Sequence, residues 1–115
     1  MKNRRIAARR RLIYFNMSTG DKWFVYILKC ADGTYYTGIT KNLDRRVDEH
    51  NNSMRGAKYT RSRRPVALIA HTIVNSRSSA LKLENKVKKQ KRQNKIAFLI
   101  KESENAERLE RNKQV

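Results

Sequence analysis

Apolar and aromatic residues gather first in Val25-Tyr26-Ile27-Leu28 and again in Tyr35-Tyr36-Thr37-Gly38, with Cys30-Ala31-Asp32-Gly33-Thr34 between them. Asp-Gly between two such runs predicts a β-hairpin, because glycine takes the positive φ of the turn without steric cost. Two registers fit. A two-residue Asp32-Gly33 turn puts Tyr26 and Tyr36 on opposite faces. A three-residue Ala31-Asp32-Gly33 loop pairs Cys30 with Thr34, Leu28 with Tyr36 and Tyr26 with Gly38. Both phenols then share one face, and Gly38 leaves open space opposite Tyr26 for a ligand. The sequence permits either turn, and the polar residues on the helices that follow favour the odd-length loop.

Beyond the hairpin the period changes to that of a helix. Asn42 is a good N-cap for a helix over about 43–51, with Asp44 in the first turn where negative charge suits the helix dipole. Leu43, Arg46, Val47 and His50 fall at i, i+3, i+4 and i+7, so the inward stripe carries two polar residues. Arg46 either pairs with Asp44 or Asp48 or reaches a ligand, and His50 is either a satisfied boundary residue or part of a site. Residues 51–65 read as a long basic connection in which Arg55, Lys58, Arg61, Arg63 and Arg64 surround Gly56 and Tyr59. These cations can neutralise phosphates and Tyr59 can stack on a base, the alternative being a solvated loop.

After Pro65, the nearly continuous apolar run 66–74 predicts a central, buried strand, with His71 a packed core or edge residue. A helix capped by Ser78 or Ser79 is expected to run to about Lys91, with Ala80, Leu83, Glu84 and Val87 on its inward face. Glu84 is the only carboxylate between Asn51 and Lys101, in a stretch crowded with Lys and Arg. Pairing with Lys88 at i+4 would explain it without function, at a few tenths of a kcal/mol on an exposed face. Alternatively its inward position suits a carboxylate that holds a divalent metal against phosphate. Lys82, Lys86, Lys88, Lys89, Lys91, Arg92 and Lys95 line the outer face, and Lys88 and Lys91 join the candidate phosphate contacts. Asn94 is expected to cap a last helix with Ile96, Leu99 and Ile100 inward, followed by a charged, fraying helical tail over 102–115.

Length and charge narrow the choice of partner. A chain of 115 residues has room for one modest domain. Lys and Arg number 28 against 10 acidic residues, for a formal charge of +18. That excess implies a polyanionic partner, nucleic acid first. No apolar stretch approaches the ~20 residues that span a bilayer, so no membrane partner is expected. The single Cys30 excludes an intramolecular disulfide and suits a reducing cytoplasm. Residues 1–22 form a basic arm whose first sixteen residues lack any acid. They read as a disordered arm or as an extension ahead of a second start at Met17, with targeting a weaker alternative.

These residues resemble a known family. Val25-Tyr26, then Tyr36-Thr37-Gly38, Asn42-Leu43, Arg46, His50-Asn51, Lys58-Tyr59-Thr60, Pro65-Val66 and Glu84 in a basic helix are similar to the GIY-YIG nuclease domain. The likeness is to its small single-domain bacterial branch and covers about 23–100. It implies an α+β fold, a small three-stranded antiparallel sheet flanked by helices in the order β-β-α-β-α-α, with the domain over 23–101. It also implies a metal-dependent endonuclease that hydrolyses phosphodiester bonds, with DNA the favoured substrate, RNA an alternative and DNA repair a context. Glu84 would be the sole protein ligand of Mg²⁺ or Mn²⁺. Tyr26 or Tyr36 would orient or deprotonate the attacking water, and Arg46 would bind the nonbridging oxygens. Phe24 stands where the first motif has glycine, and Thr37 replaces the middle residue of the second. Ile39 stands where the excision-repair branch has a lysine, which leaves His50 as the natural substitute for proton transfer. A binding module that has lost cleavage, or a basic domain docking an acidic protein, are the readings from other classes.

Overall fold

The computed structural model describes residues 22–113. The arm expected over 1–22 therefore lies outside the described residues, apart from Lys22. The chain forms β1 (Trp23–Lys29), β2 (Tyr35–Thr40), α1 (Leu43–Asn52), a short α2 (Lys58–Arg61), β3 (Ala67–Val74), α3 (Arg77–Lys88), a 3₁₀ turn (Arg92–Asn94) and α4 (Lys95–Lys113). The strands make one antiparallel sheet in the order β2-β1-β3. This is the α+β fold expected.

The hairpin takes the odd-length loop. Gly33 sits at φ 84°, Cys30 N–H donates to Thr34 O at 2.8 Å and Gly33 N–H to Cys30 O at 2.9 Å. Tyr26 therefore pairs with Gly38 and Leu28 with Tyr36. Asp32 rigidifies the turn by accepting from the Thr34 N–H and hydroxyl at 3.1 and 2.6 Å.

The central strand is β1, not the later apolar run. Phe24 to Leu28 are all buried, whereas β3 is an edge strand on which Ala67 and Ile69 are exposed. An uninterrupted apolar run signals burial on both faces, but it does not say which strand has neighbours on both sides. A register shift opposite Ile27 and Leu28 adds an irregularity to the β1–β3 pairing. Alternation along β1 feeds two cores. Phe24, Tyr26 and Leu28 pack with Cys30, Leu43 and Val66 on one face, and Val25 and Ile27 pack with Ala80, Val87 and Leu99 on the other. Burying each large aliphatic side chain stabilises the fold by about 1.5–3 kcal/mol.

Helix ends follow their caps. Asn42 accepts from Arg45 N–H at 3.1 Å to start α1, as its sequence position suggests. For α3 the cap is Ser76, which accepts from Ser79 N–H at 3.0 Å, rather than Ser78 or Ser79, and the helix ends at Lys88 rather than Lys91. Any of several serines could offer the same oxygen, and the geometry of the chain leaving β3 selects the first. Within the basic connection, Asn51 is a clamp: its side chain donates to Val66 O at 2.9 Å and accepts from Val66 N–H at 2.7 Å. The connection is thereby tied to α1 at its far end, and α2 folds inside it.

Candidate active site

Tyr26, Tyr36 and His50 meet on the α1 side of the sheet. Tyr26 is 1% exposed and His50 0%, and the Tyr26 hydroxyl lies 2.8 Å from His50 Nε2. His50 Nδ1 lies 2.8 Å from Thr60 Oγ1, and the Thr60 hydroxyl donates to Ala57 O at 2.9 Å. A carbonyl oxygen can only accept, so the threonine proton is committed to Ala57 and its oxygen accepts from His50 Nδ1–H. In neutral imidazole Nε2 is then the acceptor, and Tyr26 O–H donates to it. The network has one internally consistent set of proton positions. Thr60 sets it, on one turn of α2 inside a stretch that reads as a loop. No pattern in the sequence marks that hydroxyl as a partner for His50.

Burial controls the protonation of this pair. It pushes the His50 imidazole down to about 4, with Arg46 and Arg64 adding repulsion and Glu49 opposing them. The Tyr26 phenol is raised above its ordinary value, first by burial, then by Tyr36 and also by Glu84, while a hydrogen bond and the positive charge of Arg46 work the other way. At neutral pH the proton therefore stays on Tyr26 and His50 is a neutral acceptor. Arg46 thus acts directly on the Tyr26 oxygen, and the Glu84 charge is felt there although Glu84 stands on α3, which covers the opposite face of the sheet. Along that face α3 packs nearer β2 and β1 than β3.

Arg46 pairs with neither Asp44 nor Asp48. Its Nη1 donates to Glu49 Oε1 at 3.0 Å and to Arg55 O at 2.8 Å. Glu49, at i+3 on the helix surface, was not singled out by the spacing of apolar residues, yet it orients the guanidinium. The Glu84 side chain is 14% exposed and its Oε2 lies 3.3 Å from Lys88 Nζ, so the inward position and the i+4 pair occur together. Tyr36 is partly buried, edge-on to His50 with ring centroids 5.1 Å apart. Gly38 differs from the expectation of open space. A Cβ there would lie 2.5 Å from the Tyr26 hydroxyl oxygen, so the phenol itself fills the gap and the glycine is required by that close approach.

The basic connection divides into two groups. Arg64 departs most from a phosphate contact: its Nε donates to His50 O at 2.6 Å and its Nη2 to Glu49 O at 3.2 Å and to Ser53 O, which caps the C-terminus of α1. Arg63 is likewise engaged, with Asp32 Oδ2 at 3.0 Å, Tyr59 O at 2.8 Å and its guanidinium 3.8 Å above the Tyr59 ring. Tyr59, which is 38% exposed, also stacks on Tyr36 at 6.0 Å, so its ring is part of the wall of the site rather than an unoccupied platform. Arg55, Lys58, Arg61 and Lys91 are exposed. Lys88 is tied to Glu84.

A metal would have one carboxylate here. Among the described residues no three His, Cys, Asp or Glu side chains converge. That donor set excludes a cage of protein ligands, as for structural zinc. It fits Mg²⁺, which keeps most of its waters and takes one or two carboxylates plus phosphate oxygens. The Lys88 side chain is 52% exposed and free to turn away from Glu84 when a cation arrives.

The buried Tyr–His pair, the second tyrosine, the arginine on α1 and the acid on α3 all fall within the segment that family comparison identifies. The GIY-YIG catalytic domain matches residues 22–97. The chain belongs to the GIY-YIG family. Within it, the chain is 50% identical over 89 residues to a UPF0213 protein of Syntrophus aciditrophicus, covering 77% of this chain and 99% of that one. It is 59% identical over 66 residues to a UPF0213 protein of Desulfotalea psychrophila, covering 57% of this chain and 60% of that relative's length. A solution NMR structure of a protein from E. faecalis has 41% identity and a TM-score of 0.52, covering 72% of this chain and 88% of that one.

Proposed function

We propose that this protein is a metal-assisted endonuclease that hydrolyses phosphodiester bonds, with DNA the favoured substrate. One observation carries the reading: the Tyr26 hydroxyl lies 2.8 Å from His50 Nε2, a buried acceptor, with the charges of Arg46 and Glu84 felt at the same phenol. A water placed against Tyr26 can give its proton to the phenol oxygen as the phenol proton moves to Nε2, while Nδ1–H stays on Thr60. Tyr36, at the more open side of the ring cluster, orients that water. Arg46, held by Glu49, binds the nonbridging oxygens as charge builds on the phosphate. Glu84 would hold Mg²⁺ or Mn²⁺, which supplies neutralisation of phosphate charge. Exposed Arg55, Lys58, Arg61 and Lys91 extend the positive surface along the substrate. No helix among the described residues is long and apolar enough to cross a membrane, and the lone buried Cys30 suits a reducing cytoplasm.

A second reading, binding without cleavage, is favoured by the 1% exposure of Tyr26 and the ammonium on Glu84. Incubation with branched, nicked, single-stranded and duplex DNA and structured RNA, in Mg²⁺, Mn²⁺ or EDTA, separates the two. Metal-dependent cutting that falls by orders of magnitude in Glu84→Gln, with affinity kept, supports the enzyme. Cutting that is unchanged in Glu84→Gln removes Glu84 from the site, and binding with no cutting of any substrate supports the second reading.

A further inference from the structure

At the opposite end of the sheet from the hairpin loop, Trp23 opens β1 with its ring against the Val25 and Ile27 core. Lys41 Nζ lies 5.8 Å and Arg77 Cζ 5.9 Å from the centroid of that ring. The pairing of the strands causes the meeting. Phe24 pairs with Thr40, and Trp23 with Val74, so the residues leaving β2 and β3 both pass the start of β1. Lys41 and Arg77 are exposed, and among the described residues neither side chain makes an ion pair or a hydrogen bond. Like charges gathered at one ring repel each other. Arg77 also stands in the first turn of α3, where the helix dipole favours an anion and where no acidic residue is present. Attraction to the indole face offsets only part of this. A bound anion would relieve both repulsions.

The cluster lies on the face of the sheet that α3 covers, with Trp23 packed on Val25 and Ile27, and it shares α3 with Glu84, whereas Tyr26 and His50 meet on the other face. Arg77 and Glu84 are seven residues apart on one face of α3, about 10 Å along its axis. Lys41 follows Gly38 by three residues, about 10 Å along the β2 edge. A strand of nucleic acid crossing the β2 edge, with one phosphate at Arg46 and Glu84, would bring a phosphate further along the strand to Lys41 and Arg77. We propose that Trp23, Lys41 and Arg77 form a second phosphate subsite, which holds a nucleotide flanking the one at the cleft and fixes the path of the strand. The subsite rests on the nucleic-acid reading above.

Trp23 is the only tryptophan in the chain, so its emission reports on this place alone. The full-length protein is titrated with a short single-stranded DNA oligonucleotide while tryptophan emission is followed, and affinity is measured by anisotropy over a range of salt. The parent shows a saturable change in emission. Replacing both cations, Lys41→Gln with Arg77→Gln, abolishes that change, weakens binding about tenfold and makes the salt dependence shallower by about 1.4 in log–log slope. The charge-conserving pair Lys41→Arg with Arg77→Lys keeps the emission change, and Glu84→Gln keeps it as well. Oligonucleotide binding that leaves parent emission unmoved overturns the subsite, as does a double Gln variant with parental affinity and slope. Either result leaves the nuclease reading standing. Absence of oligonucleotide binding by the parent overturns both.

Discussion

Acid should unfold this protein earlier than its carboxylates alone dictate, and His50 is the reason. In the unfolded chain its imidazole titrates near 6.5, and in the fold burial holds it at about 4. Between those values the unfolded state binds the extra proton, so stability is fully present above about pH 6.5 and falls as pH drops toward 4. The slope is about 1.4 kcal/mol per pH unit and the total about 3 kcal/mol. Against a typical total of about 5–15 kcal/mol, that is a large share. Asp32, whose carboxyl the Thr34 hydrogen bonds and Arg63 hold below its usual range, contributes at lower pH and does not confuse the window. The comparison is with His50→Gln, which cannot be protonated but leaves the Thr60 oxygen without its donor. It should be about 2 kcal/mol less stable at pH 7. Urea denaturation of both proteins at pH 7, 6, 5 and 4.5 should give two curves that converge near pH 5, because only the parent loses the His50 contribution. Contributions from the rest of the chain are common to both and cancel in the difference. Parallel curves would show that His50 is not held neutral by burial, and the acceptor role assigned to Nε2 would fall with it.

Three further substitutions test the surroundings of the same pair. Gly38→Ala forces a methyl group to within 2.5 Å of the Tyr26 oxygen, so the phenol must retreat from His50. We expect a loss of about 1–3 kcal/mol and loss of any cleavage, and an alanine variant with parental melting would refute the packing. Thr37 Oγ1 is buried without a partner among the described residues, so Thr37→Val should stabilise the protein by about 1 kcal/mol. A lower melting temperature for that variant would mean that the hydroxyl is satisfied after all. Arg64→Ala uncaps three carbonyls at the end of α1, which should cost about 2 kcal/mol or more and lower the melting temperature, with Lys rescuing little because one ammonium cannot span them. It also removes a positive charge acting on His50, whose imidazole should titrate higher when followed by NMR.

Much of the fold was legible because local chemistry determines it. The Asp32-Gly33 signal marks a hairpin, Asn42 offers the oxygen that caps α1, and residues at i, i+3, i+4 and i+7 must share one helix face whatever surrounds them. For the same reason Arg46, His50 and Glu84 stand out in the sequence as polar residues in apolar slots. Tertiary structure decided what each slot meets. Which of two apolar runs becomes the central strand depends on pairing between distant segments, and β1 rather than β3 acquired neighbours on both sides. Cations in the basic connection look alike in sequence, yet Arg64 is consumed by α1 carbonyls and Arg63 by Asp32 and Tyr59, while Arg55, Lys58 and Arg61 stay exposed. Local rules fix where a side chain leaves the backbone. The partner it finds is fixed by how segments far apart in the chain dock, as when Thr60 arrives beside His50 to settle where the proton lies.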